Sequence, residues 1–316
     1  MTDYDAHLAA LHAGFAAPDV LIAGAARAVS KSPIAARERI VHGEANEVYR
    51  IRFESGLSVI LRIARHAPGL FEKEAWAIGR CRMLAMRVPE VLSIQRIESG
   101  GEILELCFLE LLPGQRLSDS LALPRATLRS IVEEVGEQLS RMHTIGVADL
   151  GEAAQFFEGD TDDFLAMEGE FVRLGAAAGV NPAALERGFR AFETVMASGP
   201  VERRLTHNDI RACHILVHEG RLSGLIDFGQ ASMDSPINEF GKWAYWEEPE
   251  LPVAWLEQGY GDKSLFGDGY RERLRLFRLV NGLWVLRWYA LTGYPAGVER
   301  AAARIADDLA ELDGPA

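Results

Sequence analysis

At 316 residues and 48% hydrophobic content, the chain is long enough to bury two cores, which points to two lobes sharing a cleft. Forty-six acidic against 33 basic residues leave a formal charge of −13, which disfavours a nucleic-acid partner and favours a cationic one, although a soluble acidic surface gives the same balance. No apolar run reaches the ~18 residues of a membrane span, the start MTDYDAHLAALHAGF lacks the basic region of a signal peptide, and Cys81, Cys107 and Cys213 read as scattered reduced thiols, so a cytoplasmic, monomeric protein is expected.

Residues 3–30 carry apolar positions at helical spacing, with Pro18 as a break, and predict a helical N-terminal extension to which no chemistry is assigned. Residues 38–63 read as antiparallel strands: ERIVHGEANEVYRIRF with a bend at Gly43-Glu44-Ala45-Asn46, a Ser55-Gly56 turn, then LSVILRIA. A helix follows Pro68-Gly69. In LFEKEAWAIGRCRMLAM, Phe71, Glu74, Ile78 and Cys81 share one face. A carboxylate on an apolar stripe needs a partner, and Arg62 on the preceding strand is the candidate for Glu74, with Glu72 as the competing choice. Ile103–Leu112 predicts a buried strand that ends at Pro113-Gly114, where the lobe boundary is expected.

Beyond that point the pattern turns helical. Thr127–His143 places Leu128, Ile131, Val132, Val135, Leu139 and Met142 on one face. Residues 152–200 predict two or more helices broken at Pro182, with Asp160, Asp162, Asp163, Glu168 and Glu170 as a solvated acidic face or part of a cationic-substrate cleft. In Arg204–Phe240 two apolar runs, Ile215–Val217 and Leu222–Ile226, flank the turn His218-Glu219-Gly220-Arg221. A hairpin brings its open ends together, so Asp209, His214 and Asp227 should converge at one mouth. Two carboxylates and an imidazole there suit a hard divalent cation and a general base.

His207-Asn208-Asp209 with His214, followed by Ile226-Asp227-Phe228-Gly229, resembles the catalytic core of the aminoglycoside phosphotransferases. The family's usual form is His-Gly-Asp-(x4)-Asn. Asn208 and His214 depart from it in a way that is similar to the 2″-phosphotransferase branch, and macrolide kinases also carry the His. The resemblance implies an α+β, bilobal protein-kinase-like fold: an antiparallel N-terminal nucleotide-binding lobe with a helical extension over residues 1–112, and a mostly helical lobe over 113–316 with the catalytic loop and substrate site.

It also implies roles. Asp209 takes or orients the proton of the acceptor hydroxyl. Asp227 bridges Mg²⁺ to phosphate oxygens. His214 is the second metal ligand, or holds a water, or orients Asp209, since imidazole is a poorer Mg²⁺ ligand than an amide oxygen. Gly43 lies in the phosphate-covering loop and Asn46 in an Asn-x-Val-Tyr-Arg-like run. Arg62 reaches the phosphates and Glu74 pairs with it. Glu110, Leu111 and Leu112, in a LELLPG stretch, form the purine-binding hinge through main-chain groups. Glu239 falls where the family has the second Asp of Asp-Pro-x-x-Asp and is placed, with Asp209, among the acceptor-binding residues. For the acceptor, Glu247 and Glu248 beside aromatics suit a polyamine sugar, equally an acidic amphipathic helix; Trp288 is the aromatic candidate, with Trp284 one turn back.

The leading expectation is an enzyme that moves the γ-phosphate of ATP or GTP to an aminoglycoside hydroxyl, conferring resistance, with no nucleic-acid or membrane partner. The runner-up is a kinase of another hydroxylated molecule, a macrolide or a metabolite. A metal hydrolase built on His207, Asp209, His214 and Asp227, and a pseudokinase, are the readings from other classes.

Overall fold

The computed structural model describes residues 3–64, 69–157, 164–197 and 202–312; Pro68, Asp160, Asp162 and Asp163 lie outside them. The chain divides into two compact units, Met1–Pro113 and Gly114–Ala316.

The first unit is built on an antiparallel sheet of β1 (Ile34–Ile40), β2 (Glu47–Phe53), β3 (Ser58–Ala64), β4 (Val91–Ser99) and β5 (Glu102–Glu110), in the order β1-β2-β3-β5-β4. Along β2, buried Tyr49, Ile51 and Phe53 alternate with exposed Arg50 and Arg52, as a pleated strand requires. Those side chains join Val59, Leu61, Ile63, Leu104, Leu106 and Phe108 in a core capped by Ile22, Ala25 and Ala26 of helix α2 (Asp19–Ala26). Each large side chain buried there contributes about 1.5–3 kcal/mol of transfer free energy. Arg62 lies between Leu61 and Ile63 and points to the opposite face, where helix α3 (Leu70–Met83) supplies Glu74.

Helix α1 (Asp3–His12) completes the extension, and Pro18 stands before α2 as its N-cap. The expected bend separates two strands across residues 41–46. One boundary is corrected: the first strand begins at Ile34, ahead of Glu38. β1 is an edge strand with mostly exposed residues, so it lacks the alternation that makes a strand readable.

In the second unit, helix α4 (Arg125–Met142) buries the expected stripe. A small sheet of β6 (Gln115–Arg116), β8 (Ile215–His218) and β9 (Arg221–Leu225) lies in the order β6-β8-β9, and β7 (Arg204–Thr206) pairs with β10 (Ser232–Asp234). Glu219 and Gly220, both at positive φ (51° and 72°), make the tight β8–β9 turn. Gly114, at φ 107°, lets the chain pass β8 closely: a Cβ there would sit 2.2 Å from the Val217 carbonyl oxygen.

Helices Glu168–Ala177 and Pro182–Ala197 pack with the long helix Tyr270–Thr292 around Phe164, Phe171, Phe189, Phe192 and Phe277. Pro182 opens a helix, at the position where its missing N–H costs no hydrogen bond. Helices Pro236–Tyr245, Val253–Gly259 and Pro295–Leu312 complete the unit. Among the described residues no helix is long and apolar enough to cross a membrane.

Candidate active site

The loop between β7 and β8 is fastened from below before it presents any chemistry. His207 is fully buried. Its Nδ1 accepts the Asp209 N–H at 3.3 Å, so Nε2 carries the proton and donates to the Ile226 carbonyl at 3.0 Å. Burial holds this imidazole below its ordinary pKa, in keeping with the neutral tautomer. Asn208 takes positive φ (58°) and its Oδ1 accepts from Asn238 Nδ2 at 2.9 Å. Asn238 in turn donates to Asp234 at 2.7 Å and accepts from Asn281 at 2.9 Å. Glu239 is also fully buried, and its carboxylate accepts the N–H groups of His207 and Asn208. Expected at the acceptor, Glu239 instead faces the loop backbone, because helix Pro236–Tyr245 turns that side of itself inward.

On this support the expected convergence occurs. His214 Nδ1 lies 2.7 Å from the Asp209 carbonyl and 3.4 Å from Asp209 Oδ2, while Nε2 lies 3.5 Å from Asp227 Oδ2. Burial alone would lower the His214 pKa, but Asp209, the Cys213 contact and Asp227 outweigh it and lift it to about 9. The ring thus lies between two carboxylates that favour its protonated form. Arg211 Nη2 lies 3.4 Å from Nε2, which accepts its N–H when the ring is neutral. Asp227 adopts left-handed backbone (φ 69°) two residues past the end of β9, and its side chain is 42% exposed, the most open of the three.

Sequence reasoning passed over Arg211, which pairs with Asp209 at 3.2 Å and stacks over Trp246 at 5.2 Å. Its spacing two residues past Asp209 was the available signal. It also passed over Asn238 and Asn281, which no periodic pattern distinguishes from ordinary helix residues.

Among the described residues no group of three or more His, Cys, Asp or Glu is gathered to hold a metal. Mg²⁺ does not need one, because it is held by one or two carboxylates together with waters and substrate phosphates. The exposed Asp227 carboxylate fits that donor set. His214 fits only after losing its proton.

In the first unit, Arg62 Nη1 and Glu74 Oε1 are 2.5 Å apart, with both side chains buried and the guanidinium 5.4 Å from the Phe71 ring. Glu72 pairs with Arg96 at 2.6 Å, so Glu74 is the partner of Arg62. Gly43 lies in the exposed loop between β1 and β2, and Asn46 is buried at its end. The Glu110 N–H donates to the Glu90 carbonyl at 2.9 Å, and Leu112 lies just past β5.

The Glu247 carboxylate accepts the Val253 N–H at 2.7 Å and so shapes the turn before helix Val253–Gly259, while the Glu248 carbonyl accepts from Leu251. Trp288 is 41% exposed on the Tyr270–Thr292 helix. Trp284 packs edge-on against Phe171 at 5.1 Å. Glu170 pairs with Arg287 at 2.8 Å.

The chain belongs to the phosphotransferase enzyme family (APH), whose model matches residues 37–277, more than half of it. Among solved structures it is similar to the GDP complex of an aminoglycoside 2'-phosphotransferase-IIIa mutant, at 16% identity with a TM-score of 0.72 over 94% of this chain and 99% of that one. It is also similar to a thermostable mutant of aminoglycoside phosphotransferase APH(4)-Ia in complex with ADP and hygromycin B, at 20% identity with a TM-score of 0.67 over 90% and 96% of the two chains. These likenesses fix the fold as protein-kinase-like, an antiparallel sheet followed by a mostly helical remainder. Among curated sequences, a 59-residue stretch is 46% identical to serine/threonine-protein kinase TAO3 of Rattus norvegicus and of Homo sapiens, 19% of this chain. That match spans only 7% of the length of those relatives.

Proposed function

We propose that this chain transfers the γ-phosphate of ATP or GTP to a hydroxyl of a small molecule, with an aminoglycoside as acceptor and antibiotic resistance as the consequence. The observation that carries the reading is the placement of Asp209 and Asp227 on either side of His214. Membership of a phosphotransferase family supports it, as do fold neighbours solved with ADP or GDP and with hygromycin B or kanamycin. The acidic charge of −13 supports a cationic acceptor.

In this reading Asp209 accepts the acceptor's hydroxyl proton as the new O–P bond forms and the bond from the γ-phosphorus to the β–γ bridging oxygen breaks, the electron pair leaving with the nucleoside diphosphate. Arg211 holds the Asp209 carboxylate in one orientation. Asp227, with His214 nearby, would hold Mg²⁺, which when bound neutralises charge on the phosphate oxygens. Arg62, fixed by Glu74, serves the donor phosphates, and Gly43 and Asn46 the loop over them. With the Glu110 N–H already used, purine recognition falls to the Glu110 carbonyl and the Leu112 N–H.

Glu247, Glu248 and Trp288 are the acceptor-side candidates in this reading, and the runner-up acceptor, a macrolide or metabolite, shares the same catalytic residues. Incubation with Mg²⁺ and ATP or GTP against aminoglycosides and macrolides, read by mass spectrometry for an added phosphate, tests the acceptor and the donor together. Phosphorylated aminoglycoside is the expected product; phosphorylated macrolide alone would replace the acceptor.

A further inference from the structure

Helix α1 ends at His12, directly against the Gly43 loop. His12 is 6% exposed, and its ring meets Phe15 edge-on at 5.0 Å. Arg39 Nη2 lies 3.2 Å from His12 Nδ1 and 3.2 Å from the His12 carbonyl. A guanidinium only donates, so Nδ1 is the acceptor and the ring proton is on Nε2. That Nε2–H donates to the Gly43 carbonyl at 2.7 Å. A few residues on, the Ala17 N–H donates to both carboxylate oxygens of Glu47, at 3.1 and 3.3 Å, and the Tyr49 hydroxyl donates to the same carboxylate.

Arg39 is near the end of β1 and Glu47 opens β2. The N-terminal segment therefore bonds the β1–β2 connection before, within and after its bend. Gly43 itself is not demanded by packing, since a Cβ there would meet nothing within 4 Å. What is fixed is the direction of its peptide group, by a histidine whose own tautomer is fixed by Arg39.

We propose that His12 is a positioning residue for the phosphate donor: it presets the Gly43 loop so that the nucleotide does not have to order it on binding. This rests on the donor reading of the first unit. A loop held in its bound conformation lowers the entropic cost of association, so the imidazole acts on donor affinity without touching the donor.

The test uses the full chain and equilibrium binding of non-hydrolysable ATP and GTP analogues with Mg²⁺, alongside thermal melting. His12→Ala is expected to weaken analogue binding about five- to tenfold, the scale of one lost hydrogen bond. His12→Gln, whose amide N–H reaches toward the same carbonyl, is expected to recover part of that loss. A His12→Ala protein that melts earlier but binds the analogues as the unaltered chain does would overturn the proposal and leave a structural histidine. If His12→Ala does not fold, Arg39→Met, which frees the ring while keeping it, carries the same expectation and the same contrary result. Failure of the unaltered chain to bind either analogue would instead overturn the donor reading, and the proposal with it.

Discussion

Arg62 and Glu74 form an ion pair with Nη1 and Oε1 2.5 Å apart, the arginine 7% and the glutamate 0% exposed. Taking Glu74 away would remove a counter-charge from an arginine buried in the first unit. Glu74→Ala is expected to destabilise the chain by about 3–5 kcal/mol. Urea unfolding followed by circular dichroism checks this. A loss under ~1 kcal/mol, the scale of an exposed pair, would mean that solvent reaches the bridge.

Asp209 is the assigned base, and its removal should strike turnover while sparing the donor. Asp209→Asn is expected to lower kcat about a hundred- to ten-thousand-fold with nucleotide affinity within about twofold of the unaltered chain. Steady-state kinetics with a binding isotherm separates the two. Turnover near the original rate would take Asp209 out of the base role.

Asp227 is assigned to the donor's cation. Asp227→Asn is expected to abolish the gain in nucleotide affinity that Mg²⁺ confers while leaving metal-free binding unchanged. A Mg²⁺ titration of nucleotide binding reads this directly. An unchanged Mg²⁺ dependence would remove Asp227 from that assignment.

Glu239, itself fully buried, holds two loop N–H groups, that of buried His207 and that of half-buried Asn208. Glu239→Ala leaves the buried His207 N–H unmatched, at a cost of about 1–3 kcal/mol, and takes the carboxylate from the half-buried Asn208 N–H. The expected outcome is a lowered melting temperature together with lost turnover. A direct acceptor role would instead raise the acceptor KM with little change in melting.

Alkaline stability follows from two buried acids. Burial, with Glu74 adding to it, pushes the Cys107 thiol from its ordinary 9.0 to about 12. Burial, with the Glu47 contact adding to it, pushes Tyr49 from 10.0 to about 12. Between those values the native chain keeps protons that the unfolded chain releases, so stability falls as pH rises from about 9 to 12. Melting temperature against pH should show this decline, shallower in Cys107→Val and in Tyr49→Phe. A flat profile over that range would show that these groups titrate as freely folded as unfolded.

The parts of the molecule legible in the sequence are those governed by short periods. The run ERIVHGEANEVYRIRF with its Ser55-Gly56 turn marked β2, and the stripe from Leu128 to Met142 marked α4. The hairpin around Glu219-Gly220 was legible for the same reason and brought Asp209, His214 and Asp227 together. The placement of Glu74 on an apolar stripe named its own partner, because a buried carboxylate cannot be left alone. Long-range polar contacts were not legible. Asn208, Asn238 and Asn281 meet across three segments far apart in the chain, and nothing local to any of them says so. The protonation of His214 depends on two carboxylates whose distances only folding sets. Glu239 and Glu247 read as acceptor-side acids, yet each carboxylate accepts backbone N–H groups, one buried and one at a turn.

The central claim is that Asp209 and Asp227 serve phosphoryl transfer. The most direct measurement is mass spectrometry of a reaction holding the chain, Mg²⁺, ATP or GTP and an aminoglycoside panel, run beside the Asp209→Asn chain. The account predicts an aminoglycoside heavier by one phosphate with the unaltered chain and none with the variant. Equal phosphate transfer by both chains would contradict it.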